Sequence, residues 1–275
     1  MKSSKIIEAQ SIIKEENDKY IAPKLNANTL FSFSKKLEYI ITYLKNKTLP
    51  ARYVVEDISY LKIPNFDKIA FPMKCFCDIN FHQLEEHLNW YGSYGIAFSK
   101  QWGMEQGIQP LQYINVNSCL CKDFSEAFMC AKKIGSDNQP NEVTALKGFL
   151  IHQLMFYKPY SGKNKNANGE EKEKCFTDEC EWRFVPDVSQ LEFSQIIYDK
   201  SIMGDDTLNN LSNALGISPE VSLRFEYDDI KYIILKTLDD FKEFIKEVNK
   251  IIPSDDDRMN IVSKIIIWEK SEGDF

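Results

Sequence analysis

The segment Asp178-Glu179-Cys180-Glu181-Trp182-Arg183-Phe184-Val185-Pro186 constrains this chain more than any other. It reads as a strand, and strands are poor in glutamate. Side chains two apart on a strand share a face. The reading therefore sets Glu179 and Glu181 side by side in front of an apolar run. A fold that takes in this strand must partner those charges or use them. Two readings stand equal on the residues alone. In one, Glu181 pairs with Arg183 on the same face. In the other, the carboxylates line a cleft, where one orients a sugar hydroxyl and the other polarises a nucleophile; carboxylates also steady an oxocarbenium-like centre.

Around this patch, helical and strand periodicities alternate without a regular order. Residues 3 to 19 read as a short amphipathic helix, followed by a Pro/Asn/Ala-rich linker, so 1–28 is set apart from one domain over 29–275. Within that domain, strands are expected at Leu30–Ser34, Lys68–Cys77, Ile96–Ser99, Leu111–Val116, Phe149–Tyr157, Ser222–Tyr227, Lys231–Leu235 and Lys264–Trp268. Helices are expected at Lys35–Asn46, Phe81–Trp90, Lys100–Gln106, Asp123–Lys133, Thr207–Leu215 and Asp239–Ile252. Pro72 marks the second strand as an edge or a bulge, and Asp78 is the expected cap of the helix that follows. Residues 158–175, rich in Lys, Asn, Gly and Glu, read as a mobile loop. The mixture predicts an α+β class with a mixed, largely antiparallel sheet.

A hydrophobic content of 43% supplies a sizeable core, while 34 basic against 41 acidic residues give a net charge of −7. That balance argues against strong non-specific binding to nucleic acid or membranes, leaving room for a small basic cleft. The segment Met1–Ile7 lacks the apolar core of a secretory leader, and no apolar run approaches the roughly 18 residues of a membrane span. With seven cysteines in a well-cored chain, a reduced, cytoplasmic protein is expected.

Other chemistry is thinner. Cys75-x-Cys77 and Cys119-x-Cys121 depart from the usual zinc-knuckle spacing, so no metal is expected and the cysteines read as small core residues. His82 and His87 stand five apart, off a single helical face, and His152 reads as a core histidine. No glycine-rich phosphate loop is present. Arg52, in Leu49-Pro50-Ala51-Arg52-Tyr53 directly after a helix, could fork onto a phosphate pair. The blander reading, a surface pair with Glu56 or Asp57, is favoured on the residues.

Several segments in order resemble the AbiGi-type abortive-infection family: Phe31-Ser32-Phe33-Ser34-Lys35-Lys36-Leu37-Glu38-Tyr39-Ile40, Phe71 to Ile79, His87, Tyr91 to Gly103, Glu181 to Pro186 and Asp229 to Ile234. The resemblance covers about residues 29 to 270, the scale of one domain. It implies phage defence within a two-gene pair, sometimes as the antitoxin half. More distantly, the strand-helix opening, the early Arg and the late Glu resemble the ADP-ribosyltransferase plan, in particular its DNA-modifying branch. That resemblance implies a split sheet, NAD as substrate and a nucleic-acid or protein target. Arg52 would then hold the NAD diphosphate, and Ser32 and Tyr53 the nicotinamide end. Glu181 would stabilise the oxocarbenium-like ribose, and Glu179 would assist the acceptor. Ser32 and Ser34 stand where that plan carries a His-Thr-like pair. The favoured expectation is a defence protein transferring ADP-ribose. The alternative is a non-enzymatic antitoxin or sensor that binds a partner toxin, with the N-terminal helix and acidic surface as interface. Hydrolysis of NAD without an acceptor would use the same residues.

Overall fold

The computed structural model describes residues 20–23, 26–134, 141–166, 168–186, 197, 204–216 and 221–271; the helix expected at 3–19 lies outside them. In chain order the strands are β1 (Thr29–Ser34), β2 (Thr48–Pro50), β3 (Arg52–Asp57), β4 (Lys68–Cys77), β5 (Tyr94–Ser99), β6 (Gln109–Pro110), β7 (Gln112–Ile114), β8 (Tyr157–Pro159), β9 (Ser161–Lys165), β10 (Glu171–Cys175), β11 (Glu181–Phe184), β12 (Ser222–Arg224), β13 (Ile230–Leu235) and β14 (Ile265–Ile267). The helices are α1 (Leu37–Asn46), α2 (Leu84–Tyr91), α3 (Lys100–Glu105), α4 (Cys119–Lys133), α5 (Asn141–Phe156), α6 (Asp205–Leu215), α7 (Leu238–Ile251), α8 (Asp255–Val262) and α9 (Trp268–Ser271).

The main sheet runs β14-β13-β5-β1-β4-β11-β6, with β3 also on β4. Its pairings are antiparallel except β13 with β14, so the expected mixed, largely antiparallel α+β class is what forms. Both faces are covered. On one, Leu30, Ile96 and Phe98 pack under α1 and α7 through Ile40, Leu44, Phe244 and Val248. On the other, Ile69, Phe71 and Met73 meet Phe124, Leu150 and Leu154 of α4 and α5, while Phe31, Ala97 and Ile234 meet Leu84 and Leu88 of α2. The sequence of α7 explains its place: Phe241, Phe244, Ile245 and Val248 form one stripe. Thr237 and Asp240 cap its start reciprocally, Asp240 N–H donating to the Thr237 hydroxyl and Thr237 N–H to the Asp240 carboxylate.

The sheet divides at β4. A strand residue sends its N–H and C=O to one edge, and neighbours alternate. Ala70 exchanges both bonds with Ile197, and Asp78 N–H donates to Cys180 O. Ile197 and β11 therefore share one edge of β4. The opposite edge carries β1 at Cys77 and β3 from Met73 to Lys68. Between those two pairings, at Lys74, Cys75 and Phe76, that edge has no strand partner among the described residues. Gly92 fixes the approach to β5 beside this opening. Its φ is 127°, and a Cβ there would lie 2.4 Å from Ser34 O.

Four local expectations are corrected. Phe149–Tyr157 is not a strand: Phe149–Phe156 completes α5, and only Tyr157 begins β8. An apolar run without alternation does not separate the two forms. Residues 158–175 are not a loop. They finish β8 and form the paired strands β9 and β10. Pro72 does not make β4 an edge strand. Its nitrogen faces the stretch between the β11 and Ile197 pairings, where among the described residues no ladder bond is lost. Asp78 does not cap α2: Asn80 and Gln83 cap the preceding turn reciprocally, and Asp78 pairs with Lys100 at 2.6 Å. Among the described residues no helix is long and apolar enough to cross a membrane.

Candidate functional site

Glu179 and Glu181 do come together, though not on one strand. Glu179 ends a 3₁₀ turn over Phe176–Glu179 and Glu181 opens β11. Cys180 between them takes a left-handed conformation, φ 43° and ψ 48°. That single residue swings both carboxylates onto Lys158 of β8, whose Nζ lies 2.6 Å from Glu179 and 2.7 Å from Glu181.

A buried charge cluster grows from this contact. Arg183 Nε donates to Glu181 at 2.6 Å and its Nη1 to Met155 O at 2.8 Å. Arg183 Nη2 lies 3.1 Å from Glu56, close enough for an ion pair but off the hydrogen-bond direction. Tyr91 donates a short hydrogen bond to Glu179 and accepts one from Lys174 at 2.8 Å. Lys174 also stands 3.3 Å from Glu179. The Tyr113 hydroxyl accepts the backbone N–H of Glu181 at 2.8 Å. Glu56, Glu179 and Glu181 thus face Lys158, Lys174 and Arg183, and the signs balance. The pairing offered by the sequence forms: Glu181 and Arg183 are joined, and Glu181 lines a cavity.

Burial alone would raise the Glu181 acid, but Arg183 and Lys158 overcome it and hold the group well below the usual carboxylate range. Lys158 and Arg183 are likewise desolvated, yet the carboxylates around them hold both above their ordinary values. Lys174 moves the other way, lowered by burial that Glu179 only partly offsets. Burial and then Glu181 raise the thiols of Cys75 and Cys77, so neither is poised as a thiolate. Among the described residues no group of His, Cys, Asp and Glu is arranged to hold a metal.

Three cavities lie around this cluster. One of about 280 Å³ is walled by Glu179, Glu181, Lys158, Tyr91, Cys75 and Cys77 among others. A second, of about 510 Å³, lies under the β9–β10 hairpin and shares Val55, Glu56, Lys158 and Asn164 with the first. A third, of about 380 Å³, opens at the division of the sheet and is walled by Arg52, Lys74 and Tyr43 among others. It shares Phe33, Val54, Cys75 and Tyr91 with the first.

Arg52 opens β3 rather than following a helix directly, and pairs with neither Glu56 nor Asp57. Its guanidinium donates to the side-chain oxygens of Asn213 at 3.1 Å and Asn209 at 3.0 Å, one turn apart on α6. Tyr53 turns away from the cavities into the cluster of Ala70, Leu208 and Leu215. Ser32 is buried and registers with Ile96, on the face opposite Phe31 and Glu181, although it contributes to the wall of the third cavity. Lys158, Lys174, Tyr91, Lys74 and Tyr43 escaped the sequence reading. For Lys158 and Lys174 a signal existed: two buried carboxylates demand countercharges. It did not say which of the lysines at 158–174 would supply them.

The model of the family described as "Putative abortive phage resistance protein AbiGi, antitoxin" matches residues 46–236, more than half of the chain. The chain belongs to the AbiGi family. The matched stretch takes in the charge cluster, β4 and β13, and begins after the Phe31–Ile40 motif. Abortive phage resistance protein AbiGi of Lactococcus lactis subsp. cremoris is 29% identical over 245 residues, covering 82% of this chain and 98% of that protein. No solved structure matches.

Proposed function

We propose that this AbiGi-family chain acts in anti-phage defence as the antitoxin half of a two-gene pair, holding a partner toxin rather than turning over a substrate. The family description supports the role. The observation that carries it is the saturation of Glu181. Its carboxylate accepts Arg183 Nε at 2.6 Å and Lys158 Nζ at 2.7 Å. A carboxylate already matched by two cations has little field left for an oxocarbenium-like ribose. The test is expression in a bacterial host, alone and together with the neighbouring gene of the defence pair. Harmless expression alone, with growth restored when the neighbour is toxic, is the expected result. Growth arrest by this chain alone, lost in Glu181→Gln, would overturn it.

A second reading, ADP-ribosyl transfer from NAD on an ADP-ribosyltransferase-like split sheet, is favoured by one observation. Arg52 and Glu181 line cavities that share four wall residues. In that reaction the bond from ribose C1′ to nicotinamide breaks and nicotinamide leaves with the electron pair. A nucleic-acid or protein acceptor then bonds to C1′ and gives up a proton. Arg52 would hold the diphosphate, Glu181 the ribose and Glu179 the acceptor, with Ser32 and Tyr53 the weakest assignments because both pack away from Glu181. Incubating NAD with wild type and Glu181→Gln decides it: nicotinamide release by wild type alone favours transfer, and release by neither removes it.

A further inference from the structure

We propose that the third cavity is a binding site for the phosphate groups of a nucleoside phosphate, gripped by Lys74 and Arg52 with the Tyr43 hydroxyl between them. The proposal shares with the transferase reading the phosphate role of Arg52, adds Lys74 and Tyr43 to it, and requires no bond to break.

Charge sets this cavity apart. The protein carries a net −7, yet the described residues lining this cavity include Lys35, Lys36, Arg52 and Lys74 and no aspartate or glutamate. Neither Arg52 nor Lys74 makes an ion pair with a described carboxylate. Arg52 is instead oriented by two neutral amide oxygens on α6, which fix the guanidinium plane and leave its charge whole. Lys74 donates to the Tyr43 hydroxyl at 3.3 Å and sits 4.7 Å from the centre of its ring. An ammonium and a guanidinium held beside a cavity without an anion are what a phosphate would complete.

Two further features agree. Burial would raise the Tyr43 phenol, but Lys74, then Ser34 and Arg52, lower it, which reports a positive surplus at that oxygen. The division of the sheet also leaves the Cys75 peptide N–H facing the opening between β1 and β3. The ligand class follows from the walls. A volume of about 380 Å³ falls within the roughly 300–1,000 Å³ of small-molecule sites. Tyr39, about half exposed, together with Phe33 and Tyr91 supplies flat aromatic surface beside the cations, suited to a base.

The experiment is isothermal titration calorimetry of the full chain with ADP, and separately with pyrophosphate, at two salt concentrations. Wild type is expected to bind ADP saturably and more weakly at high salt. Lys74→Met and Arg52→Gln should each weaken ADP by about ten-fold or more, the scale of one charge-assisted hydrogen bond. Lys74→Arg, which keeps the charge, should recover most of the loss. Pyrophosphate binding lost in the same variants would place the grip on phosphate. No saturable ADP binding, or Lys74→Met and Arg52→Gln binding as wild type while melting normally, would overturn the site. ADP binding through Lys74 by a chain that leaves NAD intact would keep the site and remove the transferase reading. NAD consumption by wild type that falls in Arg52→Gln, with no saturable ADP binding that depends on Lys74, would do the reverse.

Discussion

Two charged regions share the walls of one cleft and behave as opposites. Around Glu181 three carboxylates meet three cations, all closely packed. Around Arg52 and Lys74 the cations meet amides, a phenol and an aromatic face. A buried charge stripped of water must be matched inside the protein. A half-buried cation can keep some water and wait for a partner. The balanced region is therefore read as part of the framework, and the unbalanced one as capacity for something the chain does not itself contain.

The comparison breaks most readily at Arg183, which is 0% exposed. Arg183→Met leaves Glu181 and Glu56 without their shared cation and should cost about 3–5 kcal/mol in chemical denaturation. A loss under 1 kcal/mol would mean the cluster does not hold the fold. Acid offers a second handle. Glu181 is depressed in the folded state, so its contribution is full above the unfolded value near 4.3 and is lost as pH falls toward the folded value. Stability should drop steeply below about pH 4, and Glu181→Gln, less stable at neutral pH, should show a shallower drop. Gly92→Ala comes next. Its positive φ and the Ser34 backbone in its way predict a loss of about 1–3 kcal/mol, read from the shift in melting temperature. The smallest effect sharpens the contrast most. Arg52→Gln should change stability by no more than about 0.5 kcal/mol, since no carboxylate is left behind. An effect as large as that of Arg183 would erase the distinction.

Legibility in the sequence followed the periodicity. β4 was readable from Lys68 to Cys77, and α7 from its apolar stripe, because local pattern and tertiary place agree there. α5 misled because its residues, Phe149 and Leu146 among them, are apolar on several sides, so no helical stripe stands out. The hairpin of β9 and β10 misled because lysine, asparagine and glutamate are weak strand formers, and cross-strand pairs such as Glu171 with Lys165 show only once the strands meet. α8 went unseen behind Asp255-Asp256-Asp257, which Ser254 caps as a helix start. At the site, the pairing of Glu181 with Arg183 was legible from their spacing. Its saturation was not, because Lys158 arrives from β8 and is invisible to any local window. The left-handed turn at Cys180 is equally silent in the residues.

The order in which the chain leaves the ribosome now acquires meaning. Glu56 and Tyr91 emerge early; Lys158, Lys174 and Arg183 emerge much later. Until they arrive, β4 has its β1 and β3 edge available but lacks β11, and Glu56 faces an interior without its cation. Non-local closure of this kind is slow and leaves strand edges open meanwhile. A truncated product ending before Arg183 would therefore carry an unfinished sheet with one edge of β4 open, a species that quality-control proteases should remove before it meets any partner.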